Sequence, residues 1–335
     1  DIIATCGTAI CRATTDGALW IGHLRDPEGQ HPFKLPATHV LADEIDGLPE
    51  KENGCPEIIY EEEDACGYLY FNFYNGAMGT AQCEQLLEAY QDACQRDTKV
   101  IVLMGGRDFW SNGMNLNLIE AADSPADESW RNINAIDDVS KAIIETESHV
   151  TVSALGANAG AGGVFLARAA DRVFGRPGVI LNPHYKDMGN LYGSEYWTYL
   201  LPKCCGEEKA RQISQARLPM GMTEAKSLGL VDAIVDGDFQ QQVRVLSQEL
   251  AVDAENILEE KVIQRARDEA EKPLAQYREE ELKRMHQNFY GFDPSYHVAR
   301  YNFVYKVVKS RTPLTIASHR KSRKKSQEGG LKKVS

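Results

Sequence analysis

Two glycine-rich loops constrain this chain more than any other feature. The first, Gly105 to Leu116, follows the apolar run Lys99–Met104; the second, Gly156 to Gly163, follows His149–Ala154. Short continuous apolar runs of this kind suit parallel strands buried on both faces. Each loop sits where its strand ends and a helix begins, the place where open α/β sheets put ligands. The first backbone N–H groups of a helix have no partner within it, and glycine lets a substrate come close to them. Two such loops side by side can aim two N–H groups at one oxygen that gains negative charge. A dinucleotide or phosphate loop fits less well. The second loop is not a clean G-x-G-x-x-G, and no P-loop Lys-Ser/Thr follows it.

The flanking sequence supports an alternating α/β order. Ile58–Tyr60 and Tyr68–Tyr74 read as a strand hairpin, and Thr80–Arg96 carries an apolar face at helical spacing. Asp127 is the expected N-cap of a helix running to about Glu147, and Val164–Ala170 is expected to be helical. Val173–Phe174 and Val179–Leu181 read as short strands, so the crossovers should be parallel and right-handed. Beyond Glu207 the chain reads as helical. Pro273 must interrupt the charged run Ala254–Asn288, and a last amphipathic helix is expected over Pro294–Ser310.

Residues 1–50 form a separate piece, with two short strands around Thr15-Asp16-Gly17 and a polar, turn-rich linker over 44–56. This piece is expected to be the end of a domain whose start is missing, since fifty residues bury little core alone and the chain begins at Asp1 rather than Met. The expected division is the 1–50 remnant and linker, a 51–250 core, 251–310 C-terminal helices, and a basic, disordered tail over 311–335. A formal charge of −12 disfavours nonspecific nucleic-acid binding. No run reaches the roughly 18 apolar residues of a membrane span. The eight cysteines form no C-x-x-C pair, and no His stands at zinc-finger spacing. The sequence therefore calls for no metal, no membrane and no nucleic acid, and for reduced cysteines in a cytoplasmic protein.

The form G-x-x-x-F-x-x-x-G-x-x-L over Gly105–Leu116, with the Gly-rich turn and Ala-rich helix of Gly156–Asp171, resembles the crotonase (enoyl-CoA hydratase/isomerase) superfamily. Gly221–Asp232 matches its A-x-x-x-G-L-V segment. The resemblance implies an α/β crotonase fold: a ββα-type spiral core with parallel sheets, a C-terminal helical region and, here, a short N-terminal β piece. It implies a coenzyme A thioester as substrate, with the N–H groups of Met114 and Gly162 as oxyanion hole. Hydratases of the superfamily carry a catalytic Glu on the helix after the Gly-rich turn and a second further along. Those positions hold Phe165 and, at or near the second, Tyr185. Phenylalanine transfers no proton, so hydration by two carboxylates is not expected.

Longer strings, among them Asn182–Pro202, Asp108–Gly113, Glu128–Asn134 and Phe292–His297, resemble the C-terminal half of the hydrogenase-maturation proteins HypX/HoxX. That resemblance implies a partner: a preceding formyl-tetrahydrofolate-dependent transferase domain, within hydrogenase-maturation machinery. It also implies the decarbonylation of formyl-CoA to carbon monoxide and CoA. The expected catalytic residues are Tyr185, Glu195 and His184. Trp110, Phe165, Asn158 and Tyr192 are expected to line the pocket, and Arg107, Arg300 and Lys306 to hold the CoA phosphates. Another crotonase-type isomerase or thioester hydrolase stays open at this point, as does a non-catalytic CoA- or partner-binding module.

Overall fold

The computed structural model describes residues 1–308; the basic tail read from the sequence lies outside them. The central sheet has six strands in the order Ala233–Ile234, Arg172–Gly175, Val150–Leu155, Val100–Gly105, Cys66–Phe71, Ile58–Glu63. All neighbours are parallel except the last pair, the Ile58–Glu63/Cys66–Phe71 hairpin. Val100–Gly105 and Val150–Leu155 are buried along their whole length. Leu69, Ile101 and Leu103 face a core shared with helices Thr80–Ala93 and Pro125–Glu145. Tyr68, Val100, Val102, Val150 and Val152 face the opposite core, closed by helix Phe239–Val252. Cover on both faces explains why these strands read as unbroken apolar runs.

A second sheet follows the first around the molecule: Phe109–Ser111, Asn158–Gly160, Ile180–Asn182 and Met220–Gly221. Three successive strands of the large sheet each continue into a strand of the small one. Two of these passes then enter a helix, Leu116–Ala121 and Gly162–Arg168. This is the ββα spiral that the crotonase resemblance implied. Pro273 separates helices Ala254–Glu271 and Leu274–Tyr290 as expected. Among the described residues no helix is long and apolar enough to cross a membrane.

Three local expectations change. The long helix is Pro125–Glu145 and its cap is Ser124, whose hydroxyl accepts from Asp127 N–H at 3.4 Å. Pro125 needs no N–H at the first position, which moves the start ahead of Asp127. The last helix, Ser295–Val304, is shorter than the apolar pattern. The 44–56 segment is held rather than loose: Thr5 N–H donates to Pro49 O at 3.0 Å and Lys51 N–H to Thr5 O at 2.8 Å.

The N-terminal residues form an antiparallel three-stranded sheet and a hairpin, His23–Arg25 with Lys34–Pro36. Phe33 and Leu35 bury against Val304 and Leu116, and Asn117 Nδ2 donates to Lys34 O at 2.8 Å. This packing brings the hairpin to the mouth of the cavity described next.

Candidate active site

The two glycine loops meet. Gly113–Met114 pairs in parallel with Ala77–Met78, and buried Asn132 ties this pair down. Its side-chain oxygen accepts from Asn115 N–H at 3.2 Å, and its Nδ2 donates to Met78 O at 2.9 Å. Across the gap, Gly162 is the first residue of its helix, so its N–H has no intrahelical acceptor. A Cβ at Gly113 would stand only 3.4 Å from Gly162 N. Ala161 just before it has φ +47°, a conformation rare for a residue with a Cβ, and is anchored by its N–H donating to Asn182 O at 2.9 Å. Strain of this kind persists where the surroundings over-determine it, and it clusters at active sites.

Met114 and Gly162 open onto a cavity of about 830 Å³, a volume suited to a small-molecule ligand. His184, Tyr185 and Glu195 line it too. Glu195 is 1% exposed and lies against Gly162 so closely that a Cβ there would stand 2.9 Å from Oε2 and overlap Oε1. The Tyr185 hydroxyl donates to Glu195 Oε2 and lies 3.1 Å from Ser194 O. Burial pushes the Glu195 carboxyl up to about 8, helped by the Asp137 charge and opposed by Tyr185 and Ser194 N–H. Burial and then the neighbouring Glu195 charge hold the Tyr185 hydroxyl well above its usual range. A carboxyl poised near neutrality beside a hydroxyl that stays protonated can accept one proton and deliver another.

The turn carrying Glu195 is backbone-strained, with φ +60° at Glu195 and +59° at Tyr196. Asp137 accepts from Glu195 N–H at 2.8 Å and Ser194 Oγ at 2.7 Å. Glu281 accepts from Tyr196 N–H at 2.9 Å and Thr198 N–H at 2.8 Å. The sequence reading missed Asn132, Asp137 and Glu281, which sit on helices that read as ordinary amphipathic surfaces. Their only local signal is a polar residue on the apolar face.

His184 is 6% exposed, and neither ring nitrogen has a hydrogen-bond partner. Burial lowers its ring below the usual range, so it presents a neutral imidazole. The remaining expected residues sit elsewhere. Phe165 stands behind Tyr185, their rings stacked at 5.7 Å. Trp110 is core: its indole N–H donates to Leu103 O at 3.2 Å and it packs on the Phe71 ring at 5.2 Å. Asn158 uses its side-chain oxygen to accept from Ile180 N–H at 2.8 Å. Tyr192 packs on Trp197 at 5.5 Å rather than lining the cavity.

The cation expectations split as well. Arg107 is exposed and away from the cavity. Arg300 is buried and committed to Glu120 Oε2 at 2.6 Å and His297 Nδ1 at 2.7 Å. Lys306 does line the cavity, joined by Arg25, Lys34 and His23 from the N-terminal hairpin. Burial and the Lys34 charge push His23 down to about 4, leaving the lysines and Arg25 as the positive charges there.

A ligand-sized cavity, two glycine loops that meet at it and a ββα spiral define a crotonase-type domain. Residues 74–302 match the enoyl-CoA hydratase/isomerase family, and the chain belongs to it. It is also similar to the hydrogenase maturation factor HoxX of Bradyrhizobium diazoefficiens, with 56% identity over 324 residues, 95% of this chain and 57% of that protein. The crystal structure of HypX from Aquifex aeolicus in complex with tetrahydrofolic acid superposes with a TM-score of 0.90 and 46% identity, over 96% of this chain and 59% of that one. The chain thus spans somewhat over half the length of these relatives. An enoyl-CoA hydratase from Bacillus halodurans shares the fold alone, with a TM-score of 0.64 and 19% identity over 73% of this chain and 99% of that one.

Proposed function

We propose that this domain splits formyl-CoA into carbon monoxide and free CoA, the carbon monoxide being destined for the active site of nickel–iron hydrogenase. The observation that carries the reading is the Glu195–Tyr185 pair over Gly162, with Phe165 where a hydratase holds its acid. The Met114 and Gly162 N–H groups polarise the formyl oxygen and make the formyl hydrogen acidic. Glu195 removes that proton. The C–H electron pair stays on carbon as the lone pair of carbon monoxide, and the C–S pair leaves with sulfur. Tyr185 protonates the thiolate and recovers a proton from Glu195 through their hydrogen bond, so the site ends as it began. No water enters the balance, and a water-poor cavity protects the formyl thioester from hydrolysis.

Lys34, Lys306 and Arg25 serve the CoA phosphates in this reading. Formyl-CoA would come from a folate-dependent formyl transfer, in keeping with the tetrahydrofolic acid bound by the longer HypX relative. The test is carbon monoxide release from formyl-CoA, trapped by a haem reporter, with crotonyl-CoA as control. Tyr185→Phe and Glu195→Gln should each cut the rate. Unchanged rates in both, or turnover of crotonyl-CoA with none of formyl-CoA, refute the assignment.

A further inference from the structure

Glu195, Asp137 and Glu281 are at most 1% exposed and close together. The cation nearest Asp137 is Arg278, whose Nε is 4.0 Å from Oδ2 and which is shared with Asp138. Three dry carboxylates against one shared guanidinium carry too little compensation, so the cluster holds protons. The hydrogen-bond distances around Ser194 bear on where one of them sits. Ser194 Oγ is 2.7 Å from Asp137 Oδ2 and 3.3 Å from Glu281 Oε2. A serine hydroxyl has a single proton to donate. It goes to Asp137, the nearer acceptor, which also faces Arg278. The contact with Glu281 then needs a proton from the Glu281 side.

We propose that Glu281 works as a neutral carboxylic acid that donates to Ser194 while accepting from Tyr196 and Thr198, and that this clamp is what holds Glu195 over Gly162. The turn it fixes would not form unaided: Gly193, Glu195 and Tyr196 run in succession through positive φ, around the intervening Ser194. Glu281 is a positioning residue; it lies outside the cavity lining. The groups facing it are Asp137 from helix Pro125–Glu145 and Tyr185, Tyr192 and Glu195 from the segment before helix Trp197–Cys205, with Arg278 of its own helix facing Asp137. Burial, with the Asp137 charge, pushes the Glu281 carboxyl up to about 8, in agreement with a neutral acid. Only the kinetic consequence rests on Glu195 being the base.

The sign of the pH effect follows. The folded value lies above the ordinary 4.5, so the stabilisation is complete below that value and is lost as pH rises through about 8. The full chain is compared with Glu281→Gln and Glu281→Ala by infrared absorption and thermal unfolding. At about pH 7 the wild type should show a carboxylic-acid C=O band, part of which disappears in Glu281→Gln. Between about pH 6 and about pH 9 the wild-type unfolding midpoint should fall more steeply than that of Glu281→Gln, which can still donate to Ser194 and accept from Thr198. An undiminished acid band in Glu281→Gln, or midpoints that fall in parallel, overturns the proposal. With a thioester substrate, Glu281→Ala should lose at least tenfold in kcat with KM little changed, and Glu281→Gln should recover most of that loss. Wild-type kcat in Glu281→Ala sinks the positioning role. The two spectroscopic arms need no substrate, so they judge the clamp even if formyl-CoA is not turned over.

Discussion

Replacing Gly162 by alanine tests the proposed oxyanion hole apart from the rest of the fold. Gly162 has no positive φ and occupies the first turn of a helix, so alanine suits its backbone and gains up to about 1 kcal/mol of helix propensity. The new methyl group has nowhere to go. It would overlap the Glu195 carboxyl, standing 2.9 Å from Oε2 and closer still to Cδ and Oε1. To regain van der Waals separation the carboxyl must retreat by about 1 Å or more. Its backbone cannot follow, because Asp137 holds Glu195 N–H at 2.8 Å. Overpacking costs about 1–3 kcal/mol, so the net loss of stability should be no more than about 3 kcal/mol. A reacting group misplaced by about 1 Å can cost on the order of 100-fold in rate. The expected result is a chain that folds, unfolds within several degrees of wild type, and releases carbon monoxide from formyl-CoA about 100-fold more slowly. Wild-type kcat in Gly162→Ala would refute both the close placement of Glu195 against Gly162 and its role as base.

Three further outcomes follow from the same geometry. If Glu195 acts as carboxylate, kcat should rise with pH through about 8; Tyr185→Phe removes a hydrogen bond that favours the carboxylate, so the pH–rate profile should move to higher pH as well as fall, and a shift to lower pH contradicts the pairing. Gly193→Ala places a Cβ 2.6 Å from Tyr185 Cζ at φ +90°, and should lower stability by about 1–3 kcal/mol in chemical denaturation. Lys34→Ala and Lys306→Ala should raise KM for CoA thioesters with little change in kcat, whereas Arg300→Ala should leave KM alone and cost about 3–5 kcal/mol of stability by breaking the pair of buried Arg300 with half-buried Glu120. Equal effects on KM from all three would contradict that division.

Much of the fold was legible because each element carries its own pattern. The hairpin around Thr15-Asp16-Gly17 pairs Ala13 with Ala18, the doubly buried strands read as apolar runs, and Pro273 breaks the helix where its missing N–H requires. The glycine loops were legible too, since each depends on residue type within a short window, whereas Phe165, Tyr185 and Glu195 were singled out through the family resemblance. Element ends were less so: Ser124 rather than Asp127 caps the long helix because Pro125 can begin it.

What the chain order could not reveal is who meets whom. Arg300 looked like a ligand for phosphate until Glu120, far away in sequence, claimed it. Lys34 looked like part of a detached remnant until Phe33 and Leu35 packed against Val304 and Leu116 and brought the hairpin to the cavity. Asp137 and Glu281 carried little signal of their own in the sequence, yet both are buried around the Glu195 turn. The sequence by itself determined the alternating strands and helices and the two glycine loops, because these depend on periodicity and on the absence of a Cβ, while the spiral followed from the resemblance that those loops carry. The tertiary structure alone decided that Glu195 lies buried against Gly162 with its carboxyl pushed upward, because both depend on burial and on the Asp137 charge brought from a distant helix.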